Sequence, residues 1–338
     1  MTRKALSYVW LAGGAALLVW VIARNDPRGT LLAFREALAH PGLLAVAAAA
    51  FLATQVGFLV KWHLLSHQAG APFTFRQSLH LFGTLTLVGL FTPGRAGELA
   101  VPMMMRGGGK MTGVALVNRL LESSCTLCAG VLAALLVLDV KTFGGSLKGL
   151  GLVMLLFAAA IVTLSRRRHI EAILGLVRAC LKPLRRLRAV EWLFQQEEKR
   201  AHEIEHFYQA NERLLAPGPI FFFGLLMLLV WTLMVSGNWC LIQATVPPDS
   251  KPVTVAVVVA IIAVMAVAMF VSPIPGGLGL SEFASVAVFA QLGYVAQQFV
   301  PFLLLARVGV YLAVIALYLA SRLAGQPLGA PEGAPAAG

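Results

Sequence analysis

Seven stretches of this chain carry no Asp, Glu, Lys or Arg: Gly42–Val60, Gln77–Gly94, Gly149–Ser165, Leu214–Pro248, Pro252–Ser281, Phe283–Ala306 and Val308–Ser321. An apolar run of roughly 20 residues is the length a helix needs to cross a bilayer. In lipid every backbone amide must be bonded inside its own segment, so such runs fold as helices. The rest of the chain agrees. Of its 338 residues 59% are hydrophobic and only 12% charged, against about 25% charged in soluble domains. The fold class is all-α, a polytopic membrane protein.

The expected spans are Ser7–Ala23, Gly42–Val60, Met111–Leu138, Gly149–Ser165, Leu214–Pro248 and Phe299–Ser321, about six full crossings. Two shorter segments, Gln77–Thr92 and Pro252–Val271, each run into a Pro-Gly sequence. Asp26–Gly42 places Leu31, Leu32 and Leu38 beside Arg35 and Glu36 between two prolines, the pattern of a short interfacial helix. Arg3 and Lys4 before an apolar run ending Val21-Ile22-Ala23 could also mark a cleaved signal peptide. Its 17 residues are long for a signal core of about 7–15 and favour a retained first helix.

A net charge of +12 does not indicate nucleic acid, because the basic residues follow a topological pattern. With the N-terminus in the cytoplasm, Arg3, Lys4, Lys61, Arg76, Arg106, Lys110 and Arg322 lie inside. So do the eleven Lys/Arg of Arg166–Leu215. Six remain outside (Arg24, Arg28, Arg35, Lys141, Lys148, Lys251), an asymmetry that fits the positive-inside rule. The Arg166–Leu215 segment also holds seven Glu. It is expected to form cytoplasmic amphipathic helices on the membrane surface, or a solvated linker. The chain then divides into a membrane half at 1–165, the basic linker at 166–215, a second membrane half at 216–323 and a disordered Pro/Gly/Ala-rich tail at 324–338. The localisation expected is a bacterial-type cytoplasmic (inner) membrane.

Enzymatic motifs are thin. His202-Glu203-Ile204-Glu205-His206 matches H-E-x-x-H, the zinc-protease pattern. Glu205 charges the helix between the histidines, the flanks are those of a solvated helix, and no third ligand follows. His63 and His67 form an interfacial pair at i, i+4. Cys125 and Cys128 sit on an apolar helix without a second pair and are expected at helix contacts. Asp occurs only at positions 26, 139 and 249, so no D-x-x-x-D pair can hold magnesium. Ser281-Glu282 has no histidine nearby. No metal, no cofactor and no catalytic residue are expected, and the chain is not expected to be an enzyme.

What remains is a set of charges in the wrong solvent: Arg95, Glu98, Arg119, Glu122, Glu282 and Arg307. Each would cost roughly 2.5–3.5 kcal/mol at the centre of an isolated spanning helix. Three are basic and three acidic, which permits complete pairing, and Arg119 and Glu122 can meet directly at i, i+3. They come in two comparable sets. Pro93, Gly94 and Gly97 form P-G-x-x-G before Glu98. Pro275, Gly276 and Gly279 form the second copy, with Gly277 inside it and Glu282 three residues on. Each copy is followed by a helix bearing Arg119 or Arg307. Gly/Pro-interrupted segments at corresponding places in two halves point to a transporter site. Both copies are expected as tips of re-entrant helical hairpins, arranged as inverted repeats and meeting within the bilayer.

The P-x-x-x-G-E of Pro93–Glu98, the N-R-L-L-E of Asn118–Glu122 and the P-G-G-L-G-L-S-E of Pro275–Glu282 together resemble the lysylphosphatidylglycerol synthase transmembrane family, or flippase-like domain family, over roughly residues 5–323. The middle motif of that family often reads E-R-x-x-D; here Asn118 and Glu122 replace its acidic ends. Members that make aminoacylated lipid carry a large soluble transferase domain, which 338 residues do not accommodate, so synthase activity is not expected. The resemblance implies a flippase moving a lipid with a charged or phosphate-bearing headgroup. Its partners would be membrane lipids of anionic or phosphate-bearing headgroup, with no nucleic acid. Arg95, Arg119 and Arg307 would meet the anionic head, while Glu98, Glu122 and Glu282 hold them or bind a cationic substituent. The alternatives are a non-transporting scaffold for a lipid-modifying enzyme and, further off, an intramembrane metalloprotease using His202 and His206.

Overall fold

The computed structural model describes residues 15–24, 27–71, 73–92, 95, 97–98, 108–137, 167–181, 201–247, 250–272 and 274–323. Within them every regular element is a helix. In order come α1 (Ala15–Arg24), α2 (Pro27–Leu38), α3 (Pro41–Gln68), α4 (Phe75–Leu90), α5 (Gly108–Val137), α6 (Arg167–Leu181), α7 (Ala201–Leu214), α8 (Pro217–Thr245), α9 (Val255–Val271), α10 (Leu280–Gln291) and α11 (Val300–Leu323). Among the described residues, α3, α5, α8 and α11 are long and apolar enough to cross a membrane. The expected span Gly149–Ser165 and the tail 324–338 lie outside the described residues, as does the first half of Ser7–Ala23.

Helix ends follow local chemistry. Pro41 and Pro217 open α3 and α8 at positions where the missing amide hydrogen costs nothing. Thr74 caps α4 through a reciprocal pair with Gln77, and Thr254 caps α9. Pro27 begins α2, which buries Thr30 and Ala37 against the bundle and leaves Leu31, Leu32 and Leu38 exposed on its outer side.

Between membrane helices close approach matters more than hydrophobicity, because lipid tails are as apolar as leucine. Small residues line the contacts. A Cβ added to Gly57 of α3 would come within 2.7 Å of Val230 on α8, and one on Gly237 of α8 within 3.2 Å of Ala50. A Cβ on Gly113 or Gly130 of α5 would come within 3.1 Å of Ala210 on α7 or 3.0 Å of Ala263 on α9. Gly83 lets α4 lie close to α11: a Cβ there would come within 3.3 Å of the Tyr318 Cα. These contacts wrap α3, α4, α5, α8, α9 and α11 around one buried centre.

The 166–215 segment differs in one respect from the surface helices expected. Helix α7 buries Tyr208, Ala210, Asn211 and Leu214 against α5, so protein covers this face rather than headgroups. Arg167 of α6 ties to α7 through Glu205 at 2.9 Å and bonds Glu171 at 2.6 Å. That hydrogen bond to Glu171, then the charge of Glu205, holds its guanidinium above the ordinary range.

Candidate functional site

The second Pro-Gly sequence is fully described. Helix α9 has 17 residues and α10 has 12. At 1.5 Å per residue each falls short of the ~30 Å hydrocarbon core. They pack on each other through a turn in which Pro275–Gly277 forms one 3₁₀ turn. Gly276, Gly277 and Gly279 have φ of 60°, 64° and 79°, a backbone region open to glycine and strained for other residues. Space is also short: a Cβ on Gly277 would come within 2.9 Å of the Met269 Cα, and one on Gly276 within 3.0 Å of the Leu90 carbonyl oxygen. The second tip therefore rests on the end of α4, where the first one begins.

Arg307 holds this tip. Its Nη1 donates to the Gly276 carbonyl at 3.1 Å and to the Tyr311 hydroxyl at 3.0 Å. Its Nη2 donates to the Gly277 carbonyl at 3.4 Å and to the Ser281 hydroxyl. Its Nε makes an ion pair with Glu282. Glu282, 1% exposed, also accepts from the Gly279 amide at 2.9 Å and from Ser281 at 3.1 Å. Each nitrogen of the guanidinium has a protein partner. The carbonyls freed by the broken helix are thus satisfied by a side chain two helices away, as a buried backbone requires.

Pro93 and Gly94 of the first sequence lie outside the described residues, but its charged end is visible. Thr92 turns the chain: its hydroxyl donates to the carbonyls of Val88 and Gly89, at 3.1 and 3.2 Å, and accepts the Gly97 amide at 2.9 Å. Arg95 adopts φ 57°, the left-handed value its counterpart in the second motif, Gly277, takes without strain. A non-glycine residue there costs about 1–3 kcal/mol and tends to mark a functional constraint. Glu98 folds back onto α4, where Gly89 leaves room for it; a Cβ there would touch Glu98 Oε1 at 2.8 Å.

From Glu98 a chain of charges runs across three elements. Glu98 pairs with Arg95 and, through Oε2, with Arg119 Nη1 at 3.3 Å. Arg119 Nη1 stands 3.6 Å from Glu122 Oε2, so the expected i, i+3 contact exists. The other Glu122 oxygen takes Lys61 Nζ at 2.9 Å and Asn118 Nδ2 at 3.0 Å. Lys61 Nζ also touches the Met227 sulfur at 3.0 Å and lies over the Phe58 ring.

Lys61 requires a correction. It stands at the end of an uncharged run and was expected on the inner surface, counted with the positive-inside residues. Helix α3 instead continues to Gln68, and the Lys61 side chain is 0% exposed. Complete pairing of three bases with three acids therefore does not describe the centre. Among the described residues it holds four bases (Lys61, Arg95, Arg119, Arg307) and three acids.

Two adjoining cavities, of about 180 and 190 Å³, share Arg95, Arg119, Glu122 and Gln55 in their walls. Glu98 and Asn118 line the first; Arg307, Tyr311 and Asn238 line the second. Met227, Trp231, Met234 and Met265 add an apolar part to the wall of the second. Five of the six charged residues singled out from sequence thus border this space, and Glu282 stands behind Arg307. Gln55 and Lys61 carry no motif. Their only sequence signal is helical spacing on α3, which puts Gln55, Phe58 and Trp62 on one face.

The histidines lie elsewhere. The His202 and His206 rings lie tilted against each other on α7, centroids 4.1 Å apart, and His63 bonds Ser78 at 2.8 Å near the loop joining α3 and α4. Among the described residues no three His, Cys, Asp or Glu side chains come together in a way that could hold a metal ion.

The family model described as lysylphosphatidylglycerol synthase TM region matches residues 5–317. No curated protein and no solved structure matches.

Proposed function

Because this chain belongs to the lysylphosphatidylglycerol synthase transmembrane-region family, whose name places it among membrane proteins of lipid metabolism or transport, we propose that it is a flippase moving a lipid with a phosphate-bearing headgroup between leaflets. The observation that carries this reading is the convergence of Arg95 and Arg119 on one cavity with a polar wall and a methionine-rich one. A guanidinium matches phosphate oxygens in a planar, two-point contact, and flexible thioethers suit an acyl chain of no fixed shape. Arg95 and Arg119 would receive the headgroup, Glu98 and Glu122 would hold them in its absence, and Arg307 with Glu282 would keep the second tip in place. The localisation proposed is the cytoplasmic membrane, with the N-terminus and the 166–215 segment on the cytoplasmic side.

A non-transporting scaffold for a lipid-modifying enzyme is the alternative, and the fully satisfied Arg307 favours it, since such a cluster could serve packing alone. Reconstitution separates the two. Proteoliposomes carrying head-labelled fluorescent phospholipids should lose outer-leaflet signal to dithionite at once and inner-leaflet signal through protein-dependent exchange. Exchange no faster than in empty vesicles, for every headgroup tried, would leave the scaffold.

A further inference from the structure

The charge balance of the central cavity limits what it can take. Glu282 and Arg307 cancel, each in contact with the other. Around the cavities there remain Lys61, Arg95 and Arg119 against Glu98 and Glu122. Both carboxylates touch cations, so among the described residues the site keeps one positive charge in excess. Lys61 is its source, and being fully buried it has no water to screen it. An uncompensated charge in a low-dielectric interior is costly, and an arriving anion of one charge removes that cost.

We propose that this site selects lipids whose headgroup carries a single net negative charge, a phosphodiester with no cationic substituent, and that Lys61 sets that count. The inference rests on the cavity being the lipid site proposed above. A phosphodiester such as phosphoglycerol brings the centre to zero. A zwitterionic head leaves the excess in place, and a lysyl-phosphoglycerol head, which adds two ammonium groups, raises it. A cavity of about 190 Å³ is also small beside the usual ligand pocket of ~300–1,000 Å³. The occupant is a lipid and not a free anion because Met227, Trp231, Met234 and Met265 line the same cavity as the arginines. One unit charge at about 7 Å in a medium of effective dielectric near 20 corresponds to a preference on the order of tenfold to a hundredfold.

The test measures equilibrium binding of short-chain fluorescent lipids to the full chain in micelles, beside leaflet exchange in vesicles. The lipids carry phosphoglycerol, phosphoethanolamine or lysyl-phosphoglycerol, with phosphatidic acid added for the Glu122 variant. Wild type should favour phosphoglycerol over both others by about tenfold or more. Lys61→Met, which brings the empty site to neutrality, should erase the preference over phosphoethanolamine. Glu122→Gln, which adds an excess charge, should move the preference toward phosphatidic acid. Equal binding of all three headgroups by wild type overturns the proposal, as does wild-type selectivity in a folded Lys61→Met protein. If that variant does not fold, the wild-type series and Glu122→Gln decide. Dimethyl phosphate, the same charge without acyl chains, should compete only at roughly hundredfold higher concentration; equal potency overturns the lipid assignment. Selective binding without exchange refutes the flippase and leaves this inference standing, while exchange blind to headgroup does the reverse.

Discussion

Arg307→Lys keeps the charge beside Glu282 and removes the fork. The native guanidinium reaches Gly276, Gly277, Ser281 and Tyr311 in addition to Glu282. An ammonium has three donors at one point and cannot serve five partners. After it keeps Glu282, at least two of the other four lose their donor. A buried acceptor left unmade costs about 1–3 kcal/mol, so the variant should lose about 2–6 kcal/mol, concentrated in the second tip. Arg307→Met should be worse, because Glu282, 1% exposed, would then be an unpaired buried charge, a loss of typically about 3–5 kcal/mol on top of the missing tip bonds. Thermal unfolding in detergent, followed by tryptophan fluorescence, gives the order wild type, Lys, Met. Hydrogen exchange gives the location. The Gly277, Leu278 and Gly279 amides, bonded to Ile274, Pro275 and Glu282, should exchange faster in the Lys variant than in wild type. A Lys variant with wild-type melting and unchanged protection at those amides would refute the clamp.

Gly277→Ala should lower the melting temperature, at a cost of about 1–3 kcal/mol for the positive φ alone, with the Met269 backbone 2.9 Å from the new Cβ; a wild-type melt would show that the tip can shift. Arg95→Gly should fold, since glycine takes the 57° φ freely, yet lose most lipid exchange. Wild-type exchange would remove Arg95 from the site. Arg119→Lys should purify as a monodisperse protein and exchange lipid at least about tenfold more slowly, because a point charge cannot give planar contact with phosphate; unchanged rates in the dithionite assay would leave Arg119 as packing. His202→Ala combined with His206→Ala should leave exchange unchanged, and elemental analysis of the wild type should find no stoichiometric zinc. One tightly held zinc per chain would revive the metalloprotease.

The long apolar runs gave away α3, α5, α8 and α11, because lipid permits nothing but a helix over such a length. Charges that interrupt those runs are as readable, since each must find a partner, and Arg119 with Glu122 at i, i+3 names its own. Lys61 was not readable in that way. It follows Val60 at the edge of an apolar run, where a flanking lysine is what the positive-inside rule expects. Only the continuation of α3 through Trp62, Leu64 and Leu65 shows that it lies more than a turn inside the helix. The covering of α7 was hidden for a different reason. An amphipathic pattern says that one face is apolar, not whether lipid or protein meets it, and Gly113 opposite Ala210 decides for protein. The left-handed backbone of Arg95 has no local cue at all. Its nearest hint is the glycine at the same place in the other motif.

That pair of positions also separates the roles of the two motifs. At the second, glycine carries the left-handed turn without strain, and every guanidinium nitrogen of Arg307 is engaged by the tip or its neighbours. A ligand arriving there would have to displace bonds already made. At the first, an arginine carries the strained turn, one carboxylate is shared between two arginines, and a lysine beyond them leaves the balance positive. An anion there would add the missing charge and take the place of the carboxylates that now pair with Arg95 and Arg119. In the function proposed above, the two copies of one sequence pattern would then serve opposite ends: the glycine-rich copy, resting against Leu90, would be the support, and the arginine copy would meet the headgroup. Replacing Arg95 by the glycine of the second motif would relieve the left-handed backbone and remove a guanidinium from the proposed headgroup site, which is why that substitution is expected to preserve the fold and abolish lipid exchange.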